Sequence, residues 1–93
     1  MTTEIEHYAN LLEFGYKDLL EPQRMNLKKH IIIKKLREKY NSYEIAEVFG
    51  YRNNQSVYHA IREASNHIRN DKGAKKLWEK LENDLHVVDK SVY

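Results

Sequence analysis

Residues 41–68, NSYEIAEVFGYRNNQSVYHAIREASNHI, carry start, stop and restart signals for two short helices, and no other stretch constrains the fold as tightly. Asn41 followed by Glu44 has the form of a capping box, in which each side chain satisfies the other residue's free backbone N–H. The predicted helix runs through Ile45, Ala46, Val48 and Phe49. Gly50 then supplies the left-handed conformation that ends a helix at low cost, and the polar turn Tyr51, Arg52, Asn53, Asn54 follows. Asn53 or Asn54 caps the second helix. Two helices so close together must cross.

On the second helix Val57, Ala60, Ile61, Ala64 and Ile68 recur at helical spacing and form one narrow apolar stripe that must face a core. Gln55, His59, Arg62, Asn66 and Arg69 line up on the opposite side, an amide-rich and cationic face with no acidic residue in the line. Ala46 and Ala60 are small where two axes would approach, which suits a steep crossing. This is the pattern of a helix-turn-helix.

Ninety-three residues make a single domain, 1–93, whose helices must share one apolar centre. With three Gly and one Pro the chain reads as all-α, a compact four- or five-helix bundle containing a helix-turn-helix over about residues 41–70. There is no Cys, which excludes disulfides and thiolate metal sites and is compatible with a reducing compartment. No apolar run approaches membrane-spanning length, and the opening MTTEIEHY is acidic rather than basic and then apolar. A cytoplasmic protein with no membrane contact is expected.

The formal net charge of +2 conceals a segregation. Residues 1–21 hold five acids against Lys17, residues 22–70 hold ten Lys or Arg against four Glu, and residues 71–93 balance. The positive excess therefore sits on the helix-turn-helix and the helix before it, an electrostatic footprint for a polyanion. A solvated helical face would show the same charge, so charge alone does not decide.

Upstream, Ile5, Tyr8, Ala9, Leu11, Leu12, Leu19 and Leu20 predict a helix over about residues 3–20 with Gly15 as a break or C-cap. Pro22 fits the first turn of a new helix reaching Lys39 or Tyr40. Met25, Ile32, Ile33, Leu36 and Tyr40 make it the central helix of the bundle, with Arg24, Lys28, Lys35 and Lys39 on one side and Lys34 nearby. After Asn70-Asp71-Lys72-Gly73, read as a stop, residues 74–85 repeat the pattern with Leu77, Trp78, Leu81 and Leu85 on one face. Trp78 is expected to seal the core. The tail 86–93 gives no firm reading.

Catalytic chemistry finds no foothold. The five histidines, His7, His30, His59, His67 and His86, are scattered with no His-x-x-x-His pair, so no metal site or other cofactor is expected. No Gly-rich loop is present to cradle a nucleotide. The pairs Glu44 with Glu47 and Glu79 with Glu82 are ordinary helix-surface spacings.

Gly50 stands seven positions before Val57, one more than in the commonest helix-turn-helix pattern. That longer turn, with Ile45, Ala46, Phe49, Gly50, Arg52, Val57, His59 and Ala60, resembles the C-terminal DNA-binding domain of the bacterial replication initiator DnaA, whose pattern reads roughly I-G-x-x-F-G-x-R-D-H-T-T-V-x-H-A. Asn53, Asn54, Gln55 and Ser56 replace the D-H-T-T run with other polar residues. Pro22-Gln23-Arg24-Met25 is similar to a Pro-Arg-Gln-Met string of that family. Only Glu21 lies between Leu20 and Pro22, so the family's basic minor-groove loop is missing, as is its ATPase module.

The resemblance implies a protein that binds double-stranded DNA with its second helix in the major groove, acting in replication or transcription control, of the kind that phages and mobile elements carry. It places Asn53, Asn54 and Gln55 at base edges, where Asn and Gln pair well with adenine. It places Arg52, Ser56, His59 and Arg62 on the sugar-phosphate backbone, with Gln23, Arg24, Lys34 and Lys35 as helpers. Without the basic loop, tight binding calls for a homodimer, tandem sites or a larger nucleoprotein assembly. A module that docks on a replication or transcription protein through the same polar helix is the competing expectation.

Overall fold

The computed structural model describes residues 1–15 and 26–83. Among them the chain forms five helices and no strand: α1 (Thr2–Leu11), α2 (Leu27–Leu36), α3 (Ser42–Phe49), α4 (Gln55–Asn70) and α5 (Lys72–Glu82).

α2 is the axis of the bundle. Ile31, Ile32 and Ile33 are all fully buried, which a helix achieves only when neighbours cover it on several sides. α4 packs most extensively against it, and α1 and α5 cover other faces. Burying each Ile is worth roughly 1.5–3 kcal/mol, so the triple Ile anchors the core.

The start of α2 corrects the expectation from Pro22. Asn26 is extended at φ −145°, ψ 133°, so no helix runs through it, and its side chain accepts from the Lys28 N–H at 2.8 Å. An Asn cap satisfies a free donor, whereas proline only removes one, and here the cap sets the boundary. Pro22 itself lies outside the described residues, as do Gln23, Arg24 and Met25. The helix also stops at Leu36, short of Lys39 and Tyr40; Tyr40 N–H donates back to Leu36 at 2.9 Å in the turn that delivers Asn41 to its capping position.

α1 ends earlier than expected, and Gly15 is not its cap. Glu13 takes the left-handed conformation at φ 55°, while Phe14 N–H donates to Ala9 at 2.9 Å and Glu13 N–H to Asn10 at 3.1 Å. These crossed bonds are a Schellman motif. Their benefit is packing: closing the helix at this point seats Leu12 in the core and lays Phe14 against it. The further turn expected as far as Leu20 lies outside the described residues.

α3 keeps its predicted ends. Glu44 N–H donates to Asn41 Oδ1 at 2.8 Å and Asn41 N–H to Glu44 Oε1 at 3.1 Å, a complete capping box. Gly50, at φ 75°, closes the helix with a second Schellman motif, Tyr51 N–H to Ala46 at 2.9 Å and Gly50 N–H to Glu47 at 3.2 Å.

Asp71 alone separates α4 from α5. Extended at φ −131°, ψ 120°, it ends one helix and caps the next by accepting from Gly73 N–H at 3.0 Å. Gly73 is thus inside α5 rather than part of a stop, and α5 begins at Lys72 instead of Ala74. Ala74 and Leu81 of α5 are buried, with Leu77 and Trp78 packed at their side; Leu85 and the tail lie outside the described residues. No helix among the described residues is long and apolar enough to cross a membrane.

Candidate nucleic-acid interface

The apolar stripe of α4 fixes which way its polar face points. Val57, Ala60 and Ala64 are buried, and Ile61 and Ile68 pack against the core. The opposite stripe of Gln55, His59, Arg62, Asn66 and Arg69 is therefore exposed from end to end. Sixteen residues make α4 about 24 Å long, more than the width of a DNA major groove.

The turn that presents the start of α4 is held by three sets of contacts. Tyr51 stacks on Phe49 with ring centroids 6.2 Å apart, and the buried Lys29 lies over both rings, its Nζ 5.2 Å from Tyr51 and 5.8 Å from Phe49. Burial pushes the Tyr51 hydroxyl up to about 12, so it remains a neutral phenol. Second, Asn54 Nδ2 donates to Ser42 Oγ at 3.1 Å, and Ser42 donates to the Tyr58 hydroxyl at 3.3 Å, tying the first turn of α4 to the first turn of α3. Hydrogen bonds from Ser42 and Arg37 lower the Tyr58 pKa. Third, Ala46 and Ala60 are both buried where α3 meets α4.

Between the two candidate caps, the structure divides the work. Asn53 accepts from Gln55 N–H at 3.0 Å through Oδ1, whereas the Asn54 side chain reaches back to Ser42 and makes no cap bond. Arg52, Asn53, Gln55, Ser56, His59 and Arg62 are all exposed around the N-terminal half of α4; Asn54 is half-buried. These are the residues the sequence singled out, gathered at one helix start.

Lys34 and Lys35 stand elsewhere, at the seam between α2 and α5. Lys34 Nζ lies 5.1 Å above the Trp78 ring. Lys35 pairs with Glu82 at 2.8 Å and with Glu38 at 3.1 Å. Burial works against its charge, but the hydrogen bonds to Glu82 and Glu38 outweigh that and raise its pKa. Gln23 and Arg24 lie outside the described residues.

One group of residues was not visible from the sequence. A cleft of about 350 Å³ opens between the first turn of α2 and the edge of α4, lined by Asn26, Leu27, His30, His59, Glu63 and His67. His30 and His59 meet edge to face with centroids 6.4 Å apart, and His59 Nε2 is 4.0 Å from Glu63 Oε1. An acid thus adjoins the stripe that in sequence has none. The spacing of His59, Glu63 and His67, four residues at each step, was legible as one edge of a helix. What α2 adds from across the cleft was not. Among the described residues no three His, Cys, Asp or Glu side chains are placed to hold a metal ion.

Among the described residues, fold and site together define five helices, one of them an exposed polar helix held at its start by a short, tightly bonded turn. Comparison with protein-family models, with curated proteins and with solved structures finds no match to this chain.

Proposed function

We propose that this protein binds double-stranded DNA by laying α4 in the major groove, N-terminal end first, and that it acts in replication or transcription control. The observation that carries the reading is the exposed line of Gln55, His59, Arg62, Asn66 and Arg69 along the whole of α4, set opposite the stripe that packs into the core. Gln55 and Asn53, exposed at the helix start, would meet base edges on this docking, and amide side chains pair with adenine. Arg52, Ser56, His59 and Arg62 surround them with groups suited to phosphate. Asn54, drawn toward Ser42, serves first to set the angle of the helix. The sequence resemblance to the DnaA DNA-binding domain supports the same docking; it remains an analogy of pattern.

Fluorescence anisotropy with a mixed-sequence duplex at low salt tests this directly. Binding whose log affinity falls linearly with log salt, by about 0.9 per phosphate neutralised, is the expected result. Absence of binding at low salt, or salt-independent binding, rejects it.

A second reading is docking on a protein partner, favoured by Tyr43 and Tyr58, which are 71% and 47% exposed on the two helices of the helix-turn-helix. Exposed aromatics are enriched at protein interfaces. Unlike the first reading, it requires no affinity for mixed-sequence duplex.

A further inference from the structure

The cleft between α2 and α4 borders the proposed reading face and is built from the side chain that changes charge between pH 5 and 8. His59 belongs to both. His59, Glu63 and His67 follow one another at four-residue steps along the edge of α4, so Glu63 is flanked by an imidazole on either side. His59 and Glu63 are well exposed, 52% and 40% at the side chain, and their closest atoms are 4.0 Å apart. From α2, His30 faces them, and the charge of Lys29 acts on His30 from the same helix. We propose that this cleft makes duplex binding proton-dependent: protonation of His59 and His67 cancels and then reverses the negative charge that Glu63 sets beside the reading stripe, so the protein grips phosphate more tightly in mild acid.

The placement of His30 directs that charge outward. His30 is only 6% exposed, and burial, His59 and Lys29 lower its pKa, opposed in part by Glu63, with His67 lowering it further. Burial therefore disfavours a charge on the α2 side of the cleft, while His59 and His67 are exposed on the α4 edge. The new charge builds on the solvent side, where a phosphate backbone can reach it. At neutral pH the Glu63 carboxylate is the nearest formal charge to His59 on that edge and opposes an approaching phosphate. With both neighbouring imidazoles charged, the edge carries one net positive charge.

The proposal rests on the duplex-binding reading, and the test separates the two. Affinity of the full chain for a mixed-sequence duplex is measured by anisotropy from pH 7.5 to 5.5 at constant ionic strength, with circular dichroism at each pH to follow folding. The expected result is a gain of about tenfold at 0.1 M salt for each proton that creates a phosphate contact, with the salt slope steeper by about 0.9 for each. His67→Gln should retain part of this pH dependence. His59→Gln with His67→Gln should bind with a nearly flat profile, whatever its affinity at pH 7.5. Glu63→Gln should bind more tightly than the parent at pH 7.5 and gain less on acidification. A folded parent that binds duplex without pH dependence overturns the proposal alone, as does a dependence that survives in the double variant. Saturable zinc binding that is lost in His30→Gln and blocks the acid response would replace it with a metal site. No duplex binding at any pH rejects the DNA reading as well.

Discussion

The side-chain amide of Asn54 donates to the hydroxyl of Ser42 at 3.1 Å, and Ser42, a residue only 3% exposed, donates onward to Tyr58. One short relay thus sets the angle between the two helices of the turn. Ser42→Ala removes the acceptor and leaves a half-buried amide without its partner, which should cost about 1–2 kcal/mol. Asn54→Ala should cost a similar amount, and the double variant less than the sum, because the two act through one bond. Urea melts of the four proteins measure the coupling. Strictly additive losses would show that the relay contributes nothing.

Two left-handed residues close two helices by the same bonding pattern, and they should respond in opposite directions. Glu13 holds φ 55° against the steric preference of a side chain, so Glu13→Gly should stabilise the protein by about 0.5–1 kcal/mol. Gly50, at φ 75°, already has the freedom it needs, and Gly50→Ala should destabilise by about 1 kcal/mol. Thermal unfolding of both variants gives the signs, and equal signs would contradict the assignment of Glu13 as the helix-closing residue.

If α4 binds duplex as proposed, base reading and backbone gripping should separate in Gln55 and Arg52. Both are exposed and neither touches the Val57, Ala60, Ala64 stripe, so both variants should fold. Gln55→Ala should lose about 1–3 kcal/mol on a selected site and little on random duplex. Arg52→Ala should weaken all sequences alike and make the salt slope shallower by about 0.9. Paired binding curves on selected and random duplexes decide it, and proportional losses in both variants would remove Gln55 from the reading role.

His30 links stability to pH. Its folded-state pKa lies below the ordinary histidine value because burial, His59 and Lys29 disfavour its charge. Below about pH 6.5 the unfolded chain therefore binds a proton that the folded one resists. The sign follows: this contribution is full above that pH and is lost as pH falls through it toward the folded pKa. Denaturant midpoints at pH 7.5 and 5.5 should show the loss, and His30→Gln should reduce it. An unchanged difference in that variant would place the linkage on another group.

The sequence was most informative where the chain answers to itself over a few residues. Asn41 with Glu44, and Gly50 at the end of α3, are local devices whose partners sit within a turn, so their roles could be read directly. Local reading failed where two signals competed. Pro22 was read as the start of α2 although Asn26 makes the cap, and Gly15 was read as the break although Glu13 takes the left-handed turn that seats Phe14. Long-range partners were beyond reach. Nothing in the chain says that His30 meets His59, or that Glu82 holds Lys35, because both pairings are made by helix packing.

That pairing gives Lys35 a structural task. Lys35→Gln should lower stability by about 0.5–1 kcal/mol, a modest loss because Glu82 and Glu38 are well exposed and solvent screens them. It should leave the salt slope of duplex binding unchanged. A slope shallower by a full phosphate would return Lys35 to the interface.

Asp71 joins α4 to α5 with no other residue between them. Any load that a bound partner places on α4 passes through one residue into the lever formed by Leu77, Trp78 and Leu81. So short a joint is sensitive to length: one residue inserted after Asp71 would rotate that apolar edge by about 100° about its axis and turn Trp78 away from Lys34. Register at this elbow, as much as any side chain, keeps the back of α4 sealed.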